Sequence, residues 1–277
     1  VRLRRVTARL LVSAALLAFA LFAGFPVYWM VNTALTNDSE LYRTGQDWWP
    51  HLERLPESPS TLADVPIGSW LLNSGFIAFG TTLLSLLMAV LGAYALSRYR
   101  FHGRGAAAFL LFATQMLPEA LLVVPLFALF GALGLLNGLI GLVLANTAFA
   151  MPVALFIVKS AIDRIPYEIE ESARVDGCPR YGQLTHIVLP LVAPSIAAAA
   201  VVTFFEGWNE FLFANTFLTD SEKWPASVGL ATFVGQYTTP LSSVMAAAFL
   251  FSLPAIVFFV LMQRRIVSGL TAGAVKG

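Results

Sequence analysis

The chain has 277 residues, of which 58% are hydrophobic and 12% charged, with a net charge of +1; soluble domains carry about 25% charged residues, so a helical membrane domain is indicated and a soluble enzyme class set aside. The basic residues form no single patch able to neutralise phosphates, which excludes nucleic-acid binding. The one cysteine, Cys178, rules out an internal disulfide or a multi-cysteine metal site, and His51, His102 and His186 lack ligand spacing.

The first apolar run, uncharged from Leu10 to Asn37, exceeds a signal peptide's apolar core and is followed by no clear small-residue cleavage site, so it reads as a retained first helix. Crossing roughly 30 Å of hydrocarbon takes about 20 apolar residues. Six stretches meet this, at approximately 10–35, 69–97, 106–131, 138–158, 190–218 and 242–263. The third and fourth are separated by a glycine and asparagine cluster, Gly131 through Asn137-Gly138, which predicts a tight turn. Fourteen of the 17 basic residues fall on one side of this pattern, with Arg43, Arg54 and Lys223 on the other. Positive residues stay on the cytoplasmic side, so six spans place both termini in the cytoplasm. The external segment from Asp38 to Pro66 carries Trp48 and Trp49, expected as interfacial anchors, with contact to an external delivery protein as the alternative.

The longest cytoplasmic segment between two spans begins Ile165-Pro-Tyr-Glu-Ile-Glu-Glu-Ser-Ala-Arg-Val-Asp-Gly177. Pro166 suits a helix start, Glu168, Glu170 and Glu171 suit its positive end, and Gly177 suits a left-handed cap. Ile165, Ile169, Ala173 and Asp176 share one face, and Glu170 and Arg174 form an i, i+4 pair on another. Cys178-Pro179 then opens a second short helix through Leu184, before Ile187-Val-Leu-Pro190 re-enters the membrane. The expected result is a compact helical knuckle.

The spacing of Glu171-Ser172-Ala173, Gly177, Ile187 and Leu189-Pro190 resembles the EAA loop of binding-protein-dependent ABC importer permeases, Ser172 standing for the usual middle alanine. Other segments resemble the second permease of carbohydrate importers of the maltose, trehalose and glycerol-phosphate type. These are Asn73-Ser74, Ala93-Tyr-Ala95 with Arg98, Phe101, Gly103 and Arg104, Met116-Leu-Pro118, Pro125-Leu-Phe127, Trp208-Asn-Glu-Phe-Leu212 and the tail from Gly269 to Gly277. The departures are the external segment before Asn73 and Glu206, where the family pattern leads one to expect an uncharged residue.

The resemblance implies an all-α integral membrane protein with the type I ABC importer transmembrane fold, in a bacterial or archaeal cell membrane. Its expected divisions are 1–68 (first helix and external loop), 69–264 (core domain, with coupling helices at 165–187) and 265–277 (cytoplasmic tail). The implied partners are a homologous second permease, two copies of a cytoplasmic ATPase subunit, an extracytoplasmic sugar-binding protein and membrane lipid. Glu171, Ser172, Ala173, Asp176, Gly177, Ile187, Leu189 and Pro190 are then expected at the ATPase contact, and the tail is expected to reach toward the ATPase dimer. No Gly-Lys-Ser/Thr phosphate loop occurs in the sequence, so ATP and Mg belong to the partner and this chain is expected to bind no cofactor and catalyse nothing.

Ionisable groups at bilayer depth cost about 2.5–3.5 kcal/mol on insertion scales and must face water or a partner. Glu119, Glu206 and Glu210 qualify. A continuous helix puts Glu206 and Glu210, four apart, on one face beside Asn209, with Trp208 on a neighbouring face, as a candidate translocation path. Structural hydrogen bonding or packing is the competing reading of Trp208, Asn209 and Glu210. Pro118 is expected to kink the third span. An importer of a non-sugar solute and a proton-coupled secondary transporter using the three glutamates are the alternative functions.

Overall fold

The computed structural model describes residues 2–43, 47–54, 65–235 and 239–274, so that part of the external segment and the last tail residues, Lys276 among them, lie outside the described residues. Regular structure among the described residues is helical. Contacts divide the chain into two compact units, Val1–Ile67 with Leu230–Leu253 and Gly68–Gly229 with Pro254–Gly277.

The first unit holds α1 (Arg2–Ala34), α2 (Asp38–Arg43), a 3-10 turn (Leu52–Arg54) and the start of a long helix that, numbered in chain order, is α12 (Leu241–Ala274). Leu10, Leu16, Phe19 and Phe22 on α1 are 63–80% exposed, an apolar surface suited to hydrocarbon or another apolar subunit. At its far end Asn32 donates to the Asp47 carbonyl at 2.7 Å, the Tyr28 hydroxyl donates to the Trp48 carbonyl, and Trp48 meets Trp29 edge-on at 5.4 Å. Trp49 is left exposed, as an interfacial anchor would be. Asp38 accepts the Ser242 amide at 2.9 Å, satisfying one of the orphan donors at the start of α12.

The second unit contains α3 (Ile67–Arg98), α4 (Arg104–Thr114), α5 (Glu119–Ala132), α6 (Leu139–Ile162), α7 (Tyr167–Val175), α8 (Arg180–Gly182), a π turn (Gln183–Val188), α9 (Leu189–Trp208), α10 (Leu212–Phe217), a 3-10 turn (Ser221–Lys223) and α11 (Ala226–Ala231), which crosses into the first unit. α6 and α9 pack most extensively. Both bury small residues, Ala145, Ala150 and Ala154 on one and Ala197, Ala199 and Ala200 on the other, which lets backbones approach where no water-driven force joins helices. One apolar cluster gathers Ala89, Tyr94, Leu155, Val158, Ile162, Leu184 and Val192, and a second gathers Ile77, Val123, Phe130, Leu142, Phe213 and Phe217. Buried hydroxyls turn back on their own helices, Thr82 to the Ala78 carbonyl at 2.7 Å and Thr203 to Ala199 at 3.0 Å.

Among the described residues five helical stretches are long and apolar enough to cross a membrane, or six if the α4–α5 pair, bent by 103°, is taken as one broken span. The kink expected at Pro118 in the 106–131 stretch is thus a full interruption of the helix. Pro118 supplies no N–H, so the chain leaves helix after Thr114 and restarts at Glu119. The fifth span is broken too. α9 ends at Trp208 and α10 begins at Leu212, because the Glu210 carboxylate takes the amides of Phe213 (2.6 Å) and Ala214 (3.2 Å) and so starts a new helix. The expectation that Glu206 and Glu210 lie on one helical face is corrected accordingly.

A tight turn forms as expected between α5 and α6, with Gly134 at φ +68° and Asn137 at φ +53°. Asn137 also accepts the amides of Thr219 (3.3 Å) and Asp220 (3.1 Å). Asn73 donates to the carbonyls of Glu222 (2.9 Å) and Trp224 (3.0 Å), and Ser74 accepts the Ala226 amide at 2.9 Å. These side chains pin the segment after α10 onto the start of α3 and the α5–α6 turn, which is the structural work of the Asn73-Ser74 pair.

A Cβ on Gly207 would stand 2.8 Å from the Ala78 Cα and 3.2 Å from the Thr81 Cβ, so the α3–α9 contact depends on its absence. Gly207→Ala is expected to destabilise the protein by about 1–3 kcal/mol through overpacking, seen as a lower thermal midpoint in detergent. Gly75→Ala, with nothing within 4 Å, serves as the control and is expected to leave the midpoint unchanged or raised.

Candidate coupling loop and membrane cavity

α7 begins just after Pro166 and ends in a Schellman motif: the Cys178 amide bonds the Ala173 carbonyl at 2.9 Å, the Gly177 amide bonds Arg174 at 3.1 Å, and Gly177 sits at φ +83°. The left-handed glycine expected from the sequence is in place. The helix presents Glu171, Ser172 and Val175 to the surface, with Tyr167 and Ile169 also exposed. Ala173 is half-buried, Asp176 and Gly177 are exposed, and Ser172 turns its hydroxyl to the Glu168 carbonyl at 2.9 Å.

The second part of the knuckle differs from expectation. Instead of a short helix to Leu184 and a separate re-entry, α8 runs through the π turn directly into α9. The ring of Pro190 would collide with the carbonyl four residues back, that of His186, and the widened turn relieves this. Gln183, 1% exposed, anchors the turn by donating to the Cys178 carbonyl at 3.0 Å. Ile187 and Leu189 are half-buried and Pro190 is exposed along this continuous rod.

Glu170 is the residue that sequence reasoning misplaced. The sequence pairs it with Arg174 at i, i+4; in the structure it is 2% exposed and bonded to Arg98, the last residue of α3, at 2.5 Å. The second carboxylate oxygen accepts from the Tyr94 hydroxyl at 3.1 Å. Arg98 also donates to the carbonyls of Ile162 (3.0 Å), the last residue of α6, and Ile165 (3.1 Å), in the turn before α7, and stands 5.7 Å from the Tyr167 ring centre. Close by, burial pushes the Asp163 carboxyl up, but the Lys159 ammonium bonded to it at 2.6 Å and the charge of Arg98 outweigh this and hold it below the usual carboxylate range. A signal for this cluster existed in the sequence: Tyr94 and Arg98 are four apart at the end of a span, with an acidic loop available to pair with them.

Within the membrane-spanning part, Glu119, Glu206, Asn209 and Glu210 line one cavity of 580 Å³ together with Val201, Val202, Phe205, Phe211 and Leu212. The breaks bring these residues together: Glu119 opens α5 beside Pro118, and Asn209 and Glu210 lie in the gap between α9 and α10. Glu210 is 7% exposed, its carboxylate capping α10 and its carbonyl accepting from Ser227. Trp208 is not among the lining residues. It is 3% exposed and stacks on Phe204 at 5.6 Å. A larger cavity of 760 Å³ is lined by Phe112, Gln115, Ile157, Ser160, Arg164 and Ser195 among others. Ser195, Val202, Glu206 and Asn209 are spaced 7, 4 and 3 apart, so both cavities open on one face of α9. The α4–α5 break runs from one to the other, Gln115 lining the first and Glu119 the second.

The description "Binding-protein-dependent transport system inner membrane component" fits residues 81–271, which take in the knuckle and the cavity-lining segments. The chain belongs to this family. The permease is 35% identical over 253 residues to the sulfoquinovosyl glycerol transport system permease protein of Agrobacterium fabrum, covering 91% of this chain and 89% of that one. It is 34% identical over 275 residues to the trehalose/maltose transport system permease protein of Thermococcus litoralis, covering 98% of each. In fold it is similar to a bacterial ABC transporter involved in the import of the acidic polysaccharide alginate, with a TM-score of 0.76 at 23% identity over 95% of this chain and 98% of that chain.

The Schellman cap makes a local prediction. Gly177→Ala meets no neighbour within 4 Å, so its cost is the backbone strain of a left-handed alanine, about 1–2 kcal/mol. Amide hydrogen exchange of 174–178 is expected to quicken in the variant while that of α3 and α6 stays as in the wild type.

Proposed function

We propose that this permease is the non-catalytic membrane subunit of an ATP-driven importer of a sugar or sugar derivative, in a bacterial or archaeal cell membrane and with both termini in the cytoplasm. The observation that carries the reading is the knuckle: a capped helix whose Glu171, Ser172 and Val175 face outward, while its inner side is tied into the membrane-spanning helices by a buried ion pair. Such a part transmits force from a docked subunit. Glu171 supplies a charge for polar contact in a cleft of the ATPase, and the cap at Gly177 fixes the angle between α7 and the rod formed by α8, the π turn and α9. Ala173, Asp176, Ile187, Leu189 and Pro190 complete that contact and its stem.

The proposed complex pairs this chain with a homologous second permease, two copies of an ATPase subunit that hold ATP and Mg, and an external sugar-binding protein. The relatives named for trehalose and maltose and for sulfoquinovosyl glycerol support the carbohydrate assignment. The translocation path follows the face of α9 that carries both cavities. Carboxylates at Glu119, Glu206 and Glu210 and the amide of Asn209 accept hydrogen bonds from sugar hydroxyls, and their acidic character favours an uncharged glycoside over an anionic one.

The test is reconstitution with the co-encoded ATPase, second permease and binding protein in proteoliposomes. ATP hydrolysis is expected to rise when the sugar-loaded binding protein is added, with sugar accumulating inside. Glu171→Ala is expected to lower both rates about tenfold or more, a loss of roughly 1.4 kcal/mol or more in coupling. Glu206→Gln and Glu210→Gln are each expected to reduce uptake, and unchanged uptake and hydrolysis in both would remove these residues from the path. Uptake driven by a proton gradient without the ATPase would overturn the importer reading in favour of a secondary transporter.

A further inference from the structure

The geometry points to Arg98 and Glu170 as positioning residues that make α3 and α6 move together with the coupling knuckle, an inference that rests on the importer reading above. Of the described residues of α7, Glu170 is the buried one, and Glu168, Ile169, Glu171, Ser172, Arg174 and Val175 are exposed. A push on the outward face of α7 therefore has two routes into the membrane domain. One is covalent, through Gly177 and Cys178 into the rod that becomes α9. The other is the Glu170 carboxylate.

That carboxylate reaches two helices at once. One of its oxygens holds the Arg98 Nε at 2.5 Å and the other holds the Tyr94 hydroxyl at 3.1 Å, both at the end of α3. The same guanidinium holds the carbonyl of Ile162, the last residue of α6, at 3.0 Å and that of Ile165, in the turn that follows, at 3.1 Å. A planar fork is needed for this: it satisfies a carboxylate and two carbonyls in fixed directions, which an ammonium cannot do. The Arg98 side chain is 8% exposed and that of Glu170 2%, so neither water nor salt competes for the contact. α6 is also the helix most extensively packed on α9, so the guanidinium links the knuckle to the α6–α9 pair as well as to α3. Without the pair the push would reach α9 directly and the other two helices only through side-chain packing.

Two variants test this in the complete transporter. Glu170→Gln keeps the size of the side chain but removes its charge and one of its two acceptor oxygens, and Arg98→Lys keeps the charge but removes the fork. Complex assembly, ATP hydrolysed per sugar transported, and hydrogen exchange of the α7 amides are measured for each. Both variants are expected to assemble, to exchange the α7 amides about tenfold faster, and to hydrolyse several times more ATP per sugar than the wild type, Arg98→Lys being the milder. A wild-type ratio in both variants overturns the inference even if exchange quickens, since the pair would then only hold the knuckle's structure. Failure of both variants to assemble overturns it as well, assigning the pair to folding. If the wild-type complex itself takes up no sugar, the importer reading fails instead, and the exchange measurement still decides whether the pair clamps α7.

Discussion

The contact on which the loop end of this permease depends is the buried ion pair between Arg98 and Glu170. Two charges removed from water are costly to hold unless their remaining donors and acceptors are satisfied, and taking away one partner of such a pair costs about 3–5 kcal/mol. Here Tyr94 and the carbonyls of Ile162 and Ile165 complete the set. The consequence is geometric as much as energetic: a nine-residue helix with one buried side chain is fixed to two membrane-spanning helices. A Tyr94 to Tyr99 edge contact at 6.0 Å, and Arg180 5.1 Å from the Tyr99 ring centre, extend the same cluster from α3 to α8.

In the hydrocarbon region the governing constraint is different. Backbone and carboxylate groups there need internal partners or a wet cavity, so irregular chain is tolerated where it lines one. Both departures from regular helix in the bundle obey this. The α4–α5 break delivers Gln115 to one cavity and Glu119 to the other, and the α9–α10 break delivers Asn209 and Glu210 to the second. Glu210 has two tasks at once, since the carboxylate that lines the cavity also caps α10 and thereby creates the break that exposes Asn209. Discontinuous helices beside a central cavity are a recurrent way for transporters to place polar groups at depth.

Much of the architecture was legible before any coordinates. Spans follow from apolar length, because only helices of about 20 residues cross a bilayer, and the Gly177 cap follows from a glycine placed after an amphipathic turn. Within elements, side-chain capture was not legible. A carboxylate four residues from another on an apolar run reads as one helical face, and nothing in the spacing of Glu206 and Glu210 announces that Glu210 will take the amides of Phe213 and Ala214. The π turn was missed for a similar reason: Pro190 marks a difficulty for the preceding carbonyl, but whether the chain answers by breaking or by widening depends on what packs around Gln183 and Val188, both 1% exposed or less.

By itself the sequence determined the membrane class, the candidate apolar spans, the position of the knuckle and the family pattern, all of which rest on local quantities: apolar length, charge placement and motif spacing. Tertiary structure alone decided which charges are buried and which are offered to a partner. Glu170 and Glu171 are adjacent and chemically equal, yet one is sealed against α3 and the other faces outward, because α3 ends where the inner face of α7 docks. Pairing across 72 residues depends on where two helices meet in space, which no local pattern encodes.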